Sequence, residues 1–230
     1  MPTFVQEAET AWNTTTSPKT TAAFDALTDD VLVAVFMAEL RGGLPTISNS
    51  GTALTWTQQQ VIPSGSNGAM IVAWTTVLDE DRPAQTVSVA YTAGYEFGVN
   101  VMTVRDSGGI GTTSSVFAAS DVPTMSFSTS VDDSLVVVAV ADWFYVDGAS
   151  RVWLTALGAL TELSYFRVFT KYAIYLGYHA DSDSSAVARN VGLSSPTSGT
   201  QATIVAVEVV PVVIPPLPEQ TDVIKLTNAR

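Results

Sequence analysis

Two unbroken apolar runs constrain this chain more than anything else in it. Asp29-Asp30 leads into Val31-Leu32-Val33-Ala34-Val35-Phe36-Met37-Ala38, and Asp132-Asp133-Ser134 leads into Leu135-Val136-Val137-Val138-Ala139-Val140-Ala141. Each run stops at an acid, Glu39 or Asp142. Such runs are far shorter than the ~20 residues a membrane-spanning helix needs. Apolar on both faces and rich in β-branched residues, each reads as a strand buried inside a sandwich.

The two runs align at an offset of 103, and the echo continues on either side. Thr21–Phe24 matches Thr124–Phe127 at 103, and Met70–Trp74 matches Ile174–Tyr178 at 104. Thr86–Val89 matches Asn190–Leu193 at 104, and Val101–Arg105 matches Ile204–Glu208 at 103. The spacing breaks only in the middle, where Trp56 finds no partner. The expectation is an all-β protein: a jelly-roll-like antiparallel β-sandwich built from two pseudo-repeats of about six strands each. The repeats cover residues 20–105 and 123–209 of one domain, 1–210, with an extended Pro-rich C-terminal arm at 211–230. The halves can interleave in one sandwich or fold as tandem small ones. With no Pro- or charge-rich linker between them, and with halves this small marginal alone, the interleaved form is preferred.

Around the two runs, an N-terminal strand is expected within Phe4–Trp12, an edge strand at Thr20–Phe24 and a strand beginning at Leu54-Thr55-Trp56-Thr57. Ala69–Trp74 reads as a buried strand, Thr86–Tyr91 as a half-exposed one with period two, and Phe97–Val104 closes the first half. Asp79-Glu80-Asp81-Arg82-Pro83 reads as a turn, and Arg105-Asp106-Ser107-Gly108-Gly109-Ile110-Gly111-Thr112 as a glycine loop. A phosphate cradle there is disfavoured, because such loops open a helix and usually carry a lysine.

Composition excludes several function classes. Net charge is −12, with only Lys19, Lys171 and Lys225 as lysines, so no nucleic-acid partner is expected. Charged residues are 14% and hydrophobic ones 47%, a balance suited to strands and to a surface partly covered by neighbours. There is no cysteine, and the lone histidine, His179, cannot make an ordinary zinc site. No membrane span and no secretory signal is expected, so the chain should be made in a cytoplasm.

Catalytic patterns are weak. His179 has no Gly-x-Ser-x-Gly elbow to serve and reads as a structural histidine. Glu162, Asp142 and Glu208 are formal candidates for a glycosidase pair, which needs two carboxylates across a cleft, but nothing promotes them. Tyr145, Trp153, Tyr165, Tyr172 and Tyr175 can form an aromatic sugar platform or simply pack between strands. The turns Asp79-Glu80-Asp81 and Asp181-Ser182-Asp183 are oxygen-rich but lack the twelve-residue Ca²⁺ loop pattern. No catalytic, cofactor or metal residue is assigned. The one partner-binding assignment is the arm. Pro211, Pro215, Pro216 and Pro218 favour an extended path. The apolar Val213, Ile214, Leu217, Val223, Ile224 and Leu226 suit a strand or anchor added to a neighbouring subunit.

Several stretches resemble a family found in tailed phages of actinobacteria. They are Phe4–Pro18, Leu54–Gln59, Ala141–Trp153, Tyr178–Asp181, Val191–Pro196 and Ile204–Val209. The resemblance runs from about residue 3 to 209 and leaves out the arm. Members are regarded as virion structural proteins, minor tail components or proteins of the head exterior, and no catalytic residues are carried over. It implies a non-enzymatic structural component on the particle exterior, as head decoration or minor tail protein. It would be a homo-oligomer assembling with other virion proteins, major capsid or tail, and needing no cofactor. The acidic charge favours the outside over a place beside packaged DNA. The alternative is a carbohydrate- or receptor-binding module contacting the host surface. Within Ala141–Trp153, an ion pair from Arg151 to Asp142 or Asp147 is expected.

Overall fold

The computed structural model describes residues 1–12, 14–39, 43–61, 69–91, 95–119, 122–143, 148–168, 172–182, 187–197 and 201–213. They form antiparallel sheets and no α-helix. The first half supplies β1 (Thr3–Glu9), β2 (Lys19–Thr20), β3 (Phe24–Ala26), β4 (Val31–Ala38), β5 (Thr46–Asn49), β6 (Thr57–Val61), β7 (Met70–Val77), β8 (Arg82–Gln85), β9 (Val87–Ala90) and β10 (Phe97–Arg105). The second supplies β11 (Ser107–Ala119), β12 (Thr124–Phe127), β13 (Ser134–Asp142), β14 (Val152–Trp153), β15 (Leu160–Val168), β16 (Tyr172–Ser182), β17 (Arg189–Ser195) and β18 (Gln201–Pro211).

Each half builds one large and one small sheet in the same strand order. The large sheets run β1-β10-β4-β7-β6 and β11-β18-β13-β16-β15, and the small ones β2-β9-β5 and β12-β17-β14. A further pair, β3-β8, joins the first half. No sheet mixes strands of the two halves among the described residues, so the halves are not interleaved.

What joins them is a shared apolar layer. On β13, Val136, Val138 and Val140 pack under the small sheet with Phe127, Val191 and Leu193. The alternate residues Leu135, Val137, Ala139 and Ala141 instead belong to the core of the first half. On β4, Phe36 meets Tyr91, which follows the small-sheet strand β9, at 4.9 Å. The opposite face, Val31, Val33, Val35 and Met37, is therefore turned to the second large sheet. The molecule is a stack of four layers: small, large, large, small. Each large sheet is covered on both sides, which is why β4 and β13 are buried at every position.

The seam between the large sheets also carries polar ties. The Tyr172 hydroxyl donates to the Trp12 carbonyl (2.9 Å) and Thr203 to the Ala69 carbonyl (3.0 Å). Gln60 donates to Thr113 (2.9 Å) and accepts from Ser115 (2.8 Å), and Phe4 stacks on Tyr178 at 4.8 Å. Trp12 lies over Gly98, where any Cβ would collide with the indole.

The structure shifts the register of the repeat. Leu32 faces its small sheet, whereas Leu135, its partner at an offset of 103, faces the seam. The equivalents in space are 104 apart: Leu32 with Val136, and Asp29 with Asp133, which share left-handed φ values of 66° and 58°. For β7 and β16 the correction is opposite. The offset of 104 puts Trp74 on the seam-facing Tyr178, while 103 puts the small-sheet-facing Val72 on Tyr175. A slip of one residue exchanges the two faces of a strand.

Other boundaries move too. The glycine run expected as a loop is the start of β11, an edge strand with β-bulges at Ser107/Gly109 and Ile110/Thr113. Its glycines give room to neighbours: a Cβ on Gly108 would strike the Pro211 carbonyl, and one on Gly111 the Glu208 carboxylate. The residues expected as a turn, Arg82 and Pro83, begin β8, and the strand expected from Leu54 begins at Thr57.

Uncovering Val33, Val35, Met37 and Ile71 alone would forfeit roughly 6–12 kcal/mol of burial. That is comparable to the whole stability of a typical domain, about 5–15 kcal/mol. Residues 1–105 or 106–213 expressed separately should therefore aggregate or lack a cooperative thermal transition. A monomeric half with a sharp calorimetric melt would contradict the shared layer.

Candidate functional site

Three groups of polar or aromatic side chains stand out from the apolar stack. The first lies along β14, β15 and β16. Arg151 forms an ion pair with Glu162 through two nitrogens, its Nε at 2.5 Å from Oε2, and donates to the Gly148 carbonyl (3.0 Å). The Trp153 indole N–H donates to the same carboxylate (2.7 Å). The Arg151 guanidinium lies 4.0 Å above the Tyr165 ring, whose stacked neighbour is Tyr175 at 5.3 Å. Trp153 meets Tyr175 edge-on. The hydrogen bond from Arg151 first, and that from Trp153, hold the Glu162 pKa below its ordinary value against the effect of burial.

Of the five aromatics considered for a platform, this cluster gathers Trp153, Tyr165 and Tyr175. Tyr172 faces the seam instead, and Tyr145 lies outside the described residues. The Tyr165 ring contacts both Arg151 and Tyr175, and both oxygens of Glu162 accept hydrogen bonds, so these groups engage one another, while the Tyr175 hydroxyl is buried without a partner. Glu162 thus serves Arg151. The sequence offers Glu162 only as one of an unsupported pair of carboxylates and suggests Asp142 or Asp147 for Arg151, whereas the structure pairs Arg151 with Glu162. Asp142 is buried at the end of β13, and Asp147 lies outside the described residues.

The second group closes the strand ends at equivalent places in the two halves. Asp30, buried before β4, takes a bidentate pair from Arg105 at the end of β10, both contacts at 2.9 Å, and accepts from the Leu27 N–H (2.8 Å). In the second half Ser134 takes the place of Asp30, and its partner is Glu208, which lies on β18 two residues inside the position that corresponds to Arg105. The Ser134 hydroxyl donates to Glu208 (2.7 Å), which also accepts from the N–H groups of Thr112 (2.6 Å) and Ser130 (2.8 Å). Burial pushes the Glu208 pKa up, but these donors outweigh it and hold it below the ordinary value. Such charge-assisted bonds orient backbone and do not leave a free base.

The third group is His179, fully buried on β16. Its Nδ1 lies 3.1 Å from the Gly158 carbonyl, which makes Nδ1 the protonated nitrogen. Nε2 is buried without a partner. Burial pushes its pKa down, against the hydrogen bond to Gly158, so the ring is neutral at pH 7. No serine or carboxylate is shown hydrogen-bonded to it, and the site is closed to solvent.

The acidic turn after β7 is partly paired within itself. Arg82, itself buried, lies 3.2 Å from both Asp79 and Glu80, and Asp81 accepts from the N–H (2.8 Å) and hydroxyl (2.9 Å) of Thr28. Among the described residues no group of three or more His, Cys, Asp or Glu side chains is arranged to hold a metal ion. No helix among them is long and apolar enough to cross a membrane. Lys19 is also structural. Its amine sits 4.5 Å above the Phe97 ring and donates to the Ala11 carbonyl, and burial pushes its pKa down to about 8.

Open surface chemistry is found at one end of the seam, where the chain leaves β18. A depression of about 310 Å³ is lined by Leu27, Asp29, Arg105, Asp106 and Val212 among others. A neighbouring one of about 440 Å³ shares Asp29, Ser107 and Val212 and adds Val77, Gly109 and Val213. Val77 is 55% exposed, Val212 51% and Val213 82%, which makes this an apolar surface in need of cover. Of the six apolar arm residues assigned to partner binding, Val213 is the one within the described residues. Ile214, Leu217, Val223, Ile224 and Leu226 lie outside them. Exposure of consecutive valines just before a proline-rich segment was the sequence signal for this place, whereas Val77 carried none.

No protein-family model matches this chain, and neither a curated protein nor a solved structure matches it.

Two measurements test these assignments. Glu162→Gln should lower stability by about 1–3 kcal/mol, the usual loss for a hydrogen bond to a charged group, read as a shift of the urea midpoint at constant slope. The His179 pKa is depressed in the folded state, so its contribution is full above the unfolded value near 6.5 and fades as pH falls. The urea midpoint should therefore drop as pH falls below about 6.5, and His179→Gln should flatten that dependence. Glu208 adds a further loss at lower pH, below its unfolded value near 4.5.

Proposed function

We propose that the chain is a non-enzymatic structural component of a tailed-phage particle, on its exterior as head decoration or minor tail protein. It would assemble with other virion proteins and with copies of itself through subunit contacts and the arm that follows β18. The observation that carries this reading is the apolar end of the seam, where Val77, Val212 and Val213 stand exposed where the arm departs. A contiguous apolar patch rimmed by polar groups marks an interaction surface. The resemblance to actinobacteriophage virion proteins supports the same reading, as does the net charge of −12, which disfavours a place against DNA. In each half the first large-sheet strand lies beside the last, an order we take as a jelly-roll path.

A second reading, carbohydrate or receptor binding on the host surface, is favoured by the gathering of Trp153, Tyr165, Arg151 and Glu162. It ranks below the first because these groups already engage one another. A glycan array would promote it by a selective hit that Trp153→Ala abolishes.

In a phage carrying this gene, peptides of the protein should be found in purified particles. Deleting residues 211–230 should leave the thermal midpoint of the isolated protein within a few degrees and remove it from the particle. Absence of the full-length protein from particles would overturn the proposal, and incorporation of the truncated one would overturn the role of the arm.

A further inference from the structure

Among the described residues nothing covers the exposed end of the seam, and the chain's own sequence contains a segment of matching chemistry. We infer that this end of the seam is the receptor for residues 222–227 of a second copy of the chain. The inference rests on the structural reading above and names the partner surface for its arm.

The first argument is chemical fit. The receptor floor is Val77, Val212 and Val213, and its rim carries the exposed acids Asp29 and Asp106 beside Arg105, whose charge is already paired with the buried Asp30. The segment Asp222-Val223-Ile224-Lys225-Leu226-Thr227 supplies three apolar side chains around one lysine. In an extended chain Ile224 and Leu226 share one face and Lys225 takes the other, so one strand can cover the valines and bring a cation to the acidic rim. The second argument is backbone. β11 is the outer strand of its sheet, and its first residues, Ser107, Gly108 and Gly109, line the larger depression. An outer strand has N–H and C=O groups to offer an added strand.

The third argument selects a second copy over the same chain. Nine residues lie between Val213 and Val223, and Pro215, Pro216 and Pro218 fall within them. At about 3.1 Å per residue such a linker spans at most roughly 30 Å, enough to reach a neighbouring copy. Residues 214–230 contain no glycine, and Pro215, Pro216 and Pro218 oppose the immediate reversal that filling the receptor at the segment's own root would need. The contact is head-to-tail, so copies joined this way close into rings or extend into chains.

The test uses the full chain and two double variants. Val77→Asp with Val213→Asp spoils the receptor at exposed positions, and Ile224→Asp with Leu226→Asp spoils the segment. Sedimentation across a concentration series should show the unaltered protein associating. Each variant should associate on the order of 100-fold more weakly, with an unchanged thermal midpoint. An equimolar mixture of the two should form dimers, because one variant keeps the segment and the other keeps the receptor. A mixture that stays monomeric, or an unaltered protein that is monomeric throughout, overturns the inference. If that monomeric protein is still found in particles, the structural role stands and only this contact falls.

Discussion

The apolar layer between the two large sheets is the constraint on which the rest of the molecule depends. A five-stranded sheet with one small sheet over it has its other face open. Each half solves this by turning that face to the other half. The consequence reaches back to composition. A strand covered on one side alternates apolar and polar residues, whereas β4 and β13 are covered on both and hold no polar side chain between Val31 and Ala38 or between Leu135 and Ala141. The duplication is thus physically coupled: neither half's strand composition makes sense in water without the other half.

Several of the polar groups admitted to this stack complete backbone or tie layers together. The strand-end networks show how two halves with the same strand order can diverge without losing the arrangement. Asp30 and Arg105 meet as a bidentate pair, while Ser134 and Glu208 meet as hydroxyl and carboxylate. The negative charge has moved from the start of the central strand to the end of its neighbour. Losing the arginine requires other donors, and the backbone N–H groups of Thr112 and Ser130 supply them. Gly111 is part of that solution, because a side chain there would occupy the space of the Glu208 carboxylate. A glycine run that suggests a loop is thereby explained as an edge strand bulged around a buried acid.

How much of this is legible in sequence follows from where each signal comes from. Long apolar runs and period-two segments such as Val87–Ala90 announce strands, and the all-β sandwich class follows from them. Register is another matter. Offsets of 103 and 104 between the two runs both match apolar to apolar, so side-chain polarity cannot choose between faces. The left-handed Asp29 and Asp133 decide it, and φ is not visible in a doublet that reads Asp-Asp in both halves. The short strands β5, β8 and β14 pair at the small sheets or their margins and carry mixed residues, so pattern alone passes over them. Arg151 and Glu162 are eleven residues apart and meet because β14 and β15 converge on β16 and β17, a relation set by topology.

The same architecture limits where function can reside. Burial on both faces of both large sheets fills the interior with Val, Ala, Ile and Leu, and the ionisable groups inside are fixed by bonds to strand ends. His179 shows the principle: a neutral ring whose free nitrogen faces no solvent cannot exchange protons with a substrate. Chemistry available to another molecule is confined to the outer faces of the small sheets, the outer strands and the two ends of the seam. At the end beside β18 the layer that binds the halves together emerges as exposed valine, next to the point where the chain departs. The interaction that closes the fold and the surface left exposed among the described residues are therefore parts of one apolar layer, which reaches the surface at Val77, Val212 and Val213.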